Sequence, residues 1–193
     1  MEQKRRLILA SSSAYRRKLL ERLRLRFEIA LPRTDETPLP GESPRDSALR
    51  LAIAKASAAS FDDALVIGSD QVAACGEERL GKPGTHENAV RQLRLLSGRT
   101  AVFHTGVALL DTRSGTVQSK VVPCSVVFRK LDDAKIESYL QREKPYDTAA
   151  SAKAESLGIA LIERMETEDP SSLIGLPLIA LTEMLERAGL SVL

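Results

Sequence analysis

Leu7-Ile8-Leu9-Ala10 is apolar along its whole length, and Ser11-Ser12-Ser13 interrupts it just before Ala14-Tyr15-Arg16-Arg17-Lys18-Leu19-Leu20. Such a run reads as a buried strand and the serines as a hydroxyl-rich turn. The rest reads as a helix from about Ala14 to Leu23, with Leu19, Leu20 and Leu23 on one face. The junction is chemically suggestive. The first N–H groups of a helix have no partner within it, and its dipole favours an anion. Serine hydroxyls and two guanidinium forks would complete a cradle for phosphate. The plainer alternative is that Ser11 to Ser13 cap the helix and the arginines coat it.

The pattern continues down the chain. Phe27–Ala30 reads as a short strand, followed by a proline-bounded loop from Pro32 through Asp35 and Glu36 to Pro38. Ser43-Pro44 opens a second helix that runs to about Ser60. Ala64-Leu65-Val66-Ile67-Gly68 is a second buried strand, ending at Ser69-Asp70-Gln71-Val72. A third helix starts at Thr85 and stops at Ser97-Gly98. Strands over about 100–111 and 116–129 flank an Arg113-Ser114-Gly115 turn and suggest an antiparallel hairpin. A fourth helix starts at Asp132-Asp133, residues 145–158 look like loop, 159–162 a strand, and a last helix follows Pro177.

Helices and strands interleave, which predicts an α/β fold with a mixed central sheet and flanking helices. The length of 193 residues suits a single domain over 1–193, with a smaller lobe from the hairpin and fourth helix, and a cleft beside it.

Composition narrows the function classes. The formal charge is only +2, so nucleic acid is disfavoured as a partner of the whole surface. Charge is concentrated at the start, where Lys4, Arg5, Arg6, Arg16, Arg17, Lys18, Arg22, Arg24 and Arg26 face only Glu2 and Glu21. A local field of this sign suits a small polyanion. Cys75 and Cys124 lack metal spacing, which argues against a disulfide scaffold and fits a reducing cytoplasm. No apolar run approaches a membrane span. His86 and His104 are too few for a histidine-built metal site, so carboxylates would hold any metal, pointing to magnesium or manganese. A two-fold homodimer is the commonest assembly for such a chain.

The candidate site residues sit where strands end and loops begin. Asp70 follows an apolar strand and can take a proton from water or bind a hard cation; it could equally cap a turn. Glu36 has the same two readings. Lys55 lies in the otherwise small and apolar stretch Leu51–Ala56 and could simply snorkel. Lys82 sits in a Gly-Lys-Pro turn that aims its side chain. Together they describe cations, acids and a helix N-terminus suited to a nucleoside triphosphate with a magnesium-like ion.

The motifs in order resemble the Maf family of nucleotide pyrophosphatases along nearly the whole chain. They are Leu-Ile-Leu-Ala-Ser-Ser-Ser-x-x-Arg-Arg (7–17), Asp-Glu-Thr-Pro (35–38), Arg-Leu-Ala-x-x-Lys-Ala (50–56), Gly-Ser-Asp-Gln-Val (68–72), Gly-Lys-Pro (81–83) and Gly-Leu-Pro-Leu (175–178). The resemblance implies an inosine-triphosphatase-like fold and hydrolysis of a nucleoside triphosphate to monophosphate and pyrophosphate with a divalent cation. Carried over, Ser11, Ser13, Arg16, Arg17, Lys55 and Lys82 would bind phosphates. Asp70 would accept the proton of the attacking water, and Glu36 with Asp70 would hold the metal. Ala14 departs from the family's usual proline at that position.

Tyr15, Gln71 and Glu155 resemble the branch acting on 7-methylguanosine triphosphate, which usually carries Trp where this chain has Tyr15. A methylated guanine ring is positive and attracts an aromatic face. A carboxylate can accept from its N1–H and exocyclic amine. Two alternatives stay open at this point: the thymidine and uridine triphosphate branch of the family, and a nucleotide- or nucleic-acid-binding regulator of cell division without turnover.

Overall fold

The computed structural model describes residues 5–58 and 60–193; Lys4 of the basic start lies outside them. The first apolar run forms β1 (Arg6–Ala10), and it is flanked by parallel partners on both sides. These are β2 (Glu28–Ala30) and β3 (Ala64–Cys75). Between them lie α1 (Ala14–Glu21) and α2 (Pro44–Ser57). The chain continues as β4 (Glu78–Leu80), α3 (His86–Leu96), β5 (Thr100–Asp111), β6 (Thr116–Phe128) and α4 (Asp133–Glu143). It closes with β7 (Ile162–Thr167) and α5 (Leu178–Arg187). The expected α/β class with a mixed sheet is what the chain adopts; among the described residues the strand order is β2-β1-β3-β5-β6-β7, with β4 on β3.

The chain divides into two units. The first is Met1–Gln71, Thr105–Val122 and Asp169–Leu193; the second is Val72–His104 and Pro123–Glu168. The lobe anticipated from the hairpin and α4 differs from the second unit, which takes only the far half of the hairpin and adds β4, α3 and β7.

In the first unit, alternation along β3 sorts its side chains onto two faces. Leu65 and Ile67 join Leu7 and Leu9 under α1 and α5, against Leu19, Leu20, Leu181 and Leu185. Each such side chain contributes about 1.5–3 kcal/mol by leaving water. That burial matters for α1, because a helix of 8 residues is too short to persist alone. The opposite face meets α2 at very close range. A Cβ on Gly68 would lie 2.1 Å from the Ala52 carbonyl oxygen, and one on Gly106 would lie 2.3 Å from that of Ala48. Glycine at both positions lets α2 lie directly on the strands.

The second unit is built around α3 and α4, with β4 antiparallel to the last residues of β3 and β7 antiparallel to β6. Both cysteines are buried and unbridged, and burial pushes the Cys124 thiol up to about 11.

Three local expectations are corrected. β3 does not end within Ser69–Val72 but continues to Cys75, because Ala73 and Cys75 pair with Leu80 and Glu78 of β4. Residues 159–162 are not a strand: Leu157–Leu161 forms a 3-10 turn, and β7 starts at Ile162. β7 is mostly exposed, so it lacks the apolar alternation that would reveal it. The second helix ends at Ser57, short of Ser60. No helix among the described residues is long and apolar enough to cross a membrane.

Candidate active site

β1 ends at Ala10, opposite Gly68 of β3. Asp70 therefore lies two residues past the end of its parallel neighbour, where ligand sites of open α/β sheets are built. The turn that leaves β1 does what its serines predict. Ser13 is the N-cap of α1 and its hydroxyl accepts from the Arg16 N–H at 3.3 Å. Ser11 is buried, and its Oγ accepts from the Ser13 N–H at 3.1 Å and from Arg16 Nη1 at 3.4 Å.

Arg16 is held at its other side by the Gly175 carbonyl, which accepts from Nε at 2.9 Å. Burial pushes the Arg16 guanidinium below its ordinary value, while the charges of Asp70 and Glu36 pull it back up. An arginine stays cationic under any such shift. Arg16 is thus electrically coupled to both acids. Arg17, on the next residue, is exposed and pairs with Glu21 at 3.7 Å. Tyr15 is half-buried on the first turn of α1.

On the α2 side, Lys55 gathers the two acids. Its Nζ lies 2.6 Å from Asp70 Oδ1 and 2.6 Å from Glu36 Oε1. The Lys55 and Asp70 side chains are only 9% and 11% exposed, whereas Glu36 is 61% exposed. A snorkelling lysine would keep its ammonium in water; this one turns it inward. Close packing of α2 at Gly68 is what brings a helix residue to a strand carboxylate.

The Glu36 loop is tied to α2 through Glu42. Its carboxylate accepts from Arg50 Nε at 2.6 Å, Ser47 Oγ at 2.5 Å and the Leu39 N–H at 3.2 Å. Arg50 also donates to the Thr37 carbonyl at 3.2 Å. These donors, Arg50 first, hold the Glu42 carboxyl down at about 2.

The donor set suits a hard divalent cation. Two carboxylate oxygens converge on one positive centre, and no group of three or more His, Cys, Asp or Glu side chains forms a cage among the described residues. Magnesium is commonly held by one or two carboxylates, with water and substrate phosphate completing its shell.

The sequence reading named Gln71 but not its partners, and Ser69, Gly175, Asp169 and Ser171 escaped it as site residues. Ser69 Oγ donates toward the Gly106 and Gly175 carbonyls at 2.7 and 2.9 Å. Gly175, at φ +121°, thereby takes both Ser69 and Arg16 on one oxygen. Gln71 Nε2 reaches Thr105 Oγ1, and the Ser172 and Leu173 carbonyls. The only advance signal was that Ser69 and Gly175 lay inside quoted motifs. Asp169 and Ser171 act at the start of α5, where Pro177 offers no side-chain cap. Asp169 accepts from the Ile179 N–H at 2.7 Å and Ser171 from the Leu178 N–H at 2.8 Å.

Lys82 and Glu155 belong to the second unit, and both are exposed. The Lys82 turn is pinned through its backbone. Gln92 Nε2 and the Ala150 N–H donate to the Gly81 carbonyl, Asn88 to that of Pro83, and the Gly84 N–H to that of Tyr146. Ala150 and Ser151 beside it both hold left-handed φ, a strained conformation for non-glycine residues. The Glu155 turn is pinned by α4: Glu143 accepts from Ser156 Oγ at 2.6 Å and the Leu157 N–H at 3.1 Å. His86 begins α3 and bridges Tyr146 and Glu137.

Residues 6–188 match the family described as Maf-like protein. A relative from Thiobacillus denitrificans named 7-methyl-GTP pyrophosphatase is 60% identical over 97% of this chain and 94% of its own. Relatives of the same name from Cupriavidus pinatubonensis and Ralstonia nicotianae are each 58% identical, covering 95% and 94% of this chain and 94% of their own. A solved HAM1 protein from Coxiella burnetii aligns at TM-score 0.46 and 16% identity over 81% of this chain and 98% of that one.

Proposed function

This chain belongs to the Maf family, and from that premise we propose that it hydrolyses 7-methylguanosine triphosphate to the monophosphate and pyrophosphate. The substrate comes from the name carried by relatives at 58–60% identity. The observation that carries the chemistry is Lys55, whose ammonium joins Asp70, two residues past the end of β1, to Glu36 of the loop that follows β2.

The reaction needs a positioned water, an acceptor for its proton and cations on the departing pyrophosphate. Water attacks the α-phosphorus and the bond from that phosphorus to the bridging oxygen breaks. The bond electrons leave with pyrophosphate, and the water's proton passes to Asp70. Lys55 occupies Oδ1 of that carboxylate, so Oδ2 is the atom that takes the proton. Arg16, with Ser11 and the first N–H groups of α1, receives phosphate oxygens; Ser13 caps the helix and Arg17 adds positive field. Glu36 and Asp70 would hold a magnesium- or manganese-type ion, which supplies positive charge against the phosphate oxygens. Lys82 keeps the phosphate-binding role, and Tyr15, Gln71 and Glu155 the base-reading roles, that the resemblance gives them. The reading places the enzyme in the cytoplasm as a homodimer.

The test is pyrophosphate release from 7-methylguanosine, guanosine, thymidine, uridine and cytidine triphosphates with magnesium or manganese, and with EDTA. Selective release from the methylated nucleotide that EDTA abolishes is expected. Turnover of pyrimidines alone would keep the chemistry and discard the substrate. Tight, salt-sensitive binding without release would replace the enzyme with a binding protein. Full activity in EDTA would remove the metal.

A further inference from the structure

Asp70 and Gln71 are consecutive on an extended strand, so they leave it on opposite faces. Asp70 goes with Gly68 toward α2. Gln71 goes with Leu65, Ile67 and Ser69 toward the face of α1 and α5, and there its amide is boxed in by oxygens. Nε2 lies 2.9 Å from Thr105 Oγ1, 3.0 Å from the Ser172 carbonyl and 3.1 Å from the Leu173 carbonyl.

Donor and acceptor chemistry admits one orientation of this amide. A carbonyl oxygen only accepts, so the amide nitrogen must face Ser172 and Leu173. Thr105 donates its single proton to the Ser172 carbonyl at 2.9 Å, so its hydroxyl can only accept from Gln71. Thr105 is fully buried and shares its face of β5 with Val107 and Leu109. Turning the amide over would set its oxygen against the Ser172 and Leu173 carbonyls with no proton between them, and would leave the Thr105 hydroxyl as the one donor it could draw on, away from Ser172. Both N–H groups of Gln71 are therefore committed to the protein. Its Oε1, which has no hydrogen-bond partner among the described residues, is what the half-buried side chain offers to a ligand.

The same face carries the phosphate cradle's anchor. Ser69, two residues before Gln71, shares the Gly175 carbonyl with Arg16. The segment 172–175 thus runs along β3, fixing the arginine at one end and the glutamine at the other.

We propose that Thr105, with the Ser172 and Leu173 carbonyls, is a positioning residue that makes Gln71 an obligate hydrogen-bond acceptor, matched to an N–H donor on the nucleotide base. This rests on the hydrolase reading above and deepens it. A guanine ring presents N1–H and an exocyclic amine side by side; an adenine ring presents a bare acceptor nitrogen at the first of those places. A site with a locked acceptor discriminates against a base that brings another acceptor, because neither lone pair finds a proton.

The experiment is kcat and KM for 7-methylguanosine triphosphate and adenosine triphosphate in the wild type and in Gln71→Leu, Thr105→Val and Thr105→Ser. Unfolding midpoints are measured alongside. Gln71→Leu should lower the ratio of the two kcat/KM values most. Thr105→Val, which keeps shape and removes the hydroxyl, should lower the ratio by about five- to tenfold, the worth of one hydrogen bond of roughly 1 kcal/mol or slightly more. The loss should appear mainly in KM for the methylated nucleotide. Thr105→Ser, which keeps the hydroxyl, should restore the ratio. Equal losses on both nucleotides in Thr105→Val would make Thr105 merely structural and overturn the proposal. If that variant fails to fold, an unchanged ratio in Gln71→Leu overturns it instead. A wild type that releases no pyrophosphate from either nucleotide defeats the hydrolase reading first, and this inference with it.

Discussion

Of the proposed site residues, Asp70 and Lys55 of the first unit hang on regular elements, whereas Lys82 and Glu155 of the second hang on turns. Asp70 sits inside β3 and Lys55 inside α2, both nearly buried and joined at 2.6 Å. Lys82 and Glu155 are exposed and lie on turns whose backbones are pinned by neighbouring side chains. The difference is one of mechanism. A buried ion pair is held by packing, and breaking it leaves a charge without water. A pinned turn is held by a few hydrogen bonds, each worth about 1 kcal/mol. Errors in the first unit should therefore cost far more than errors in the second.

Asp70→Asn is the strongest probe of that contrast. If Asp70 is the proton acceptor as proposed, its loss should lower turnover by about 10²–10⁴-fold. The variant should stay folded, because Glu36 remains as a partner for Lys55. Single-turnover kinetics with an unfolding curve check both parts. Near-normal turnover would remove Asp70 from its role.

Gly68→Ala attacks the packing rather than the charge. Its Cβ would collide with the Ala52 backbone, so α2 must shift. Overpacking of this kind costs about 1–3 kcal/mol, read as a drop in the unfolding midpoint. Turnover should fall too, because Lys55 moves with α2. A stable, fully active variant would show that the placement of Lys55 does not depend on this contact.

Glu143→Ala tests the second unit by the same logic at a lower scale. It releases Ser156 and the Leu157 N–H beside Glu155. Selectivity for the methylated nucleotide should fall by about fivefold, the worth of roughly 1 kcal/mol. An equal fall on every nucleotide would point to general loosening instead.

The smallest effect is a pH dependence. Glu42 has a folded pKa of about 2 against an ordinary 4.5. A depressed carboxyl stabilises the fold above the ordinary value, and that stability is lost as pH falls from 4.5 toward 2. Glu42→Gln should therefore lower the unfolding midpoint at neutral pH and flatten its decline over that acid window. A variant as acid-sensitive as the wild type would assign the decline to other carboxylates.

Local chemistry made much of the architecture readable in advance. Ser13, Ser43, Thr85 and Asp132 each accept a backbone N–H at the start of α1, α2, α3 and α4, as residues of those types do. The apolar runs at 7–10 and 64–67 are strands buried along that length. β7 was misplaced because its residues are mostly exposed, and the start of α5 was opaque because Asp169 and Ser171 reach it from outside the helix.

Sequence by itself thus determined the α/β class, the serine turn into α1, and the residue types available for phosphate and metal. Those follow from interactions within a few residues, where periodicity and capping act. Tertiary structure decided that Lys55 would meet Asp70 and Glu36 rather than solvent, that Gly175 would hold Arg16, and that Thr105 would orient Gln71. These partners lie 15 to 159 residues apart along the chain. Only packing of α2 and of the 172–175 segment on the same strand brings them within hydrogen-bond reach.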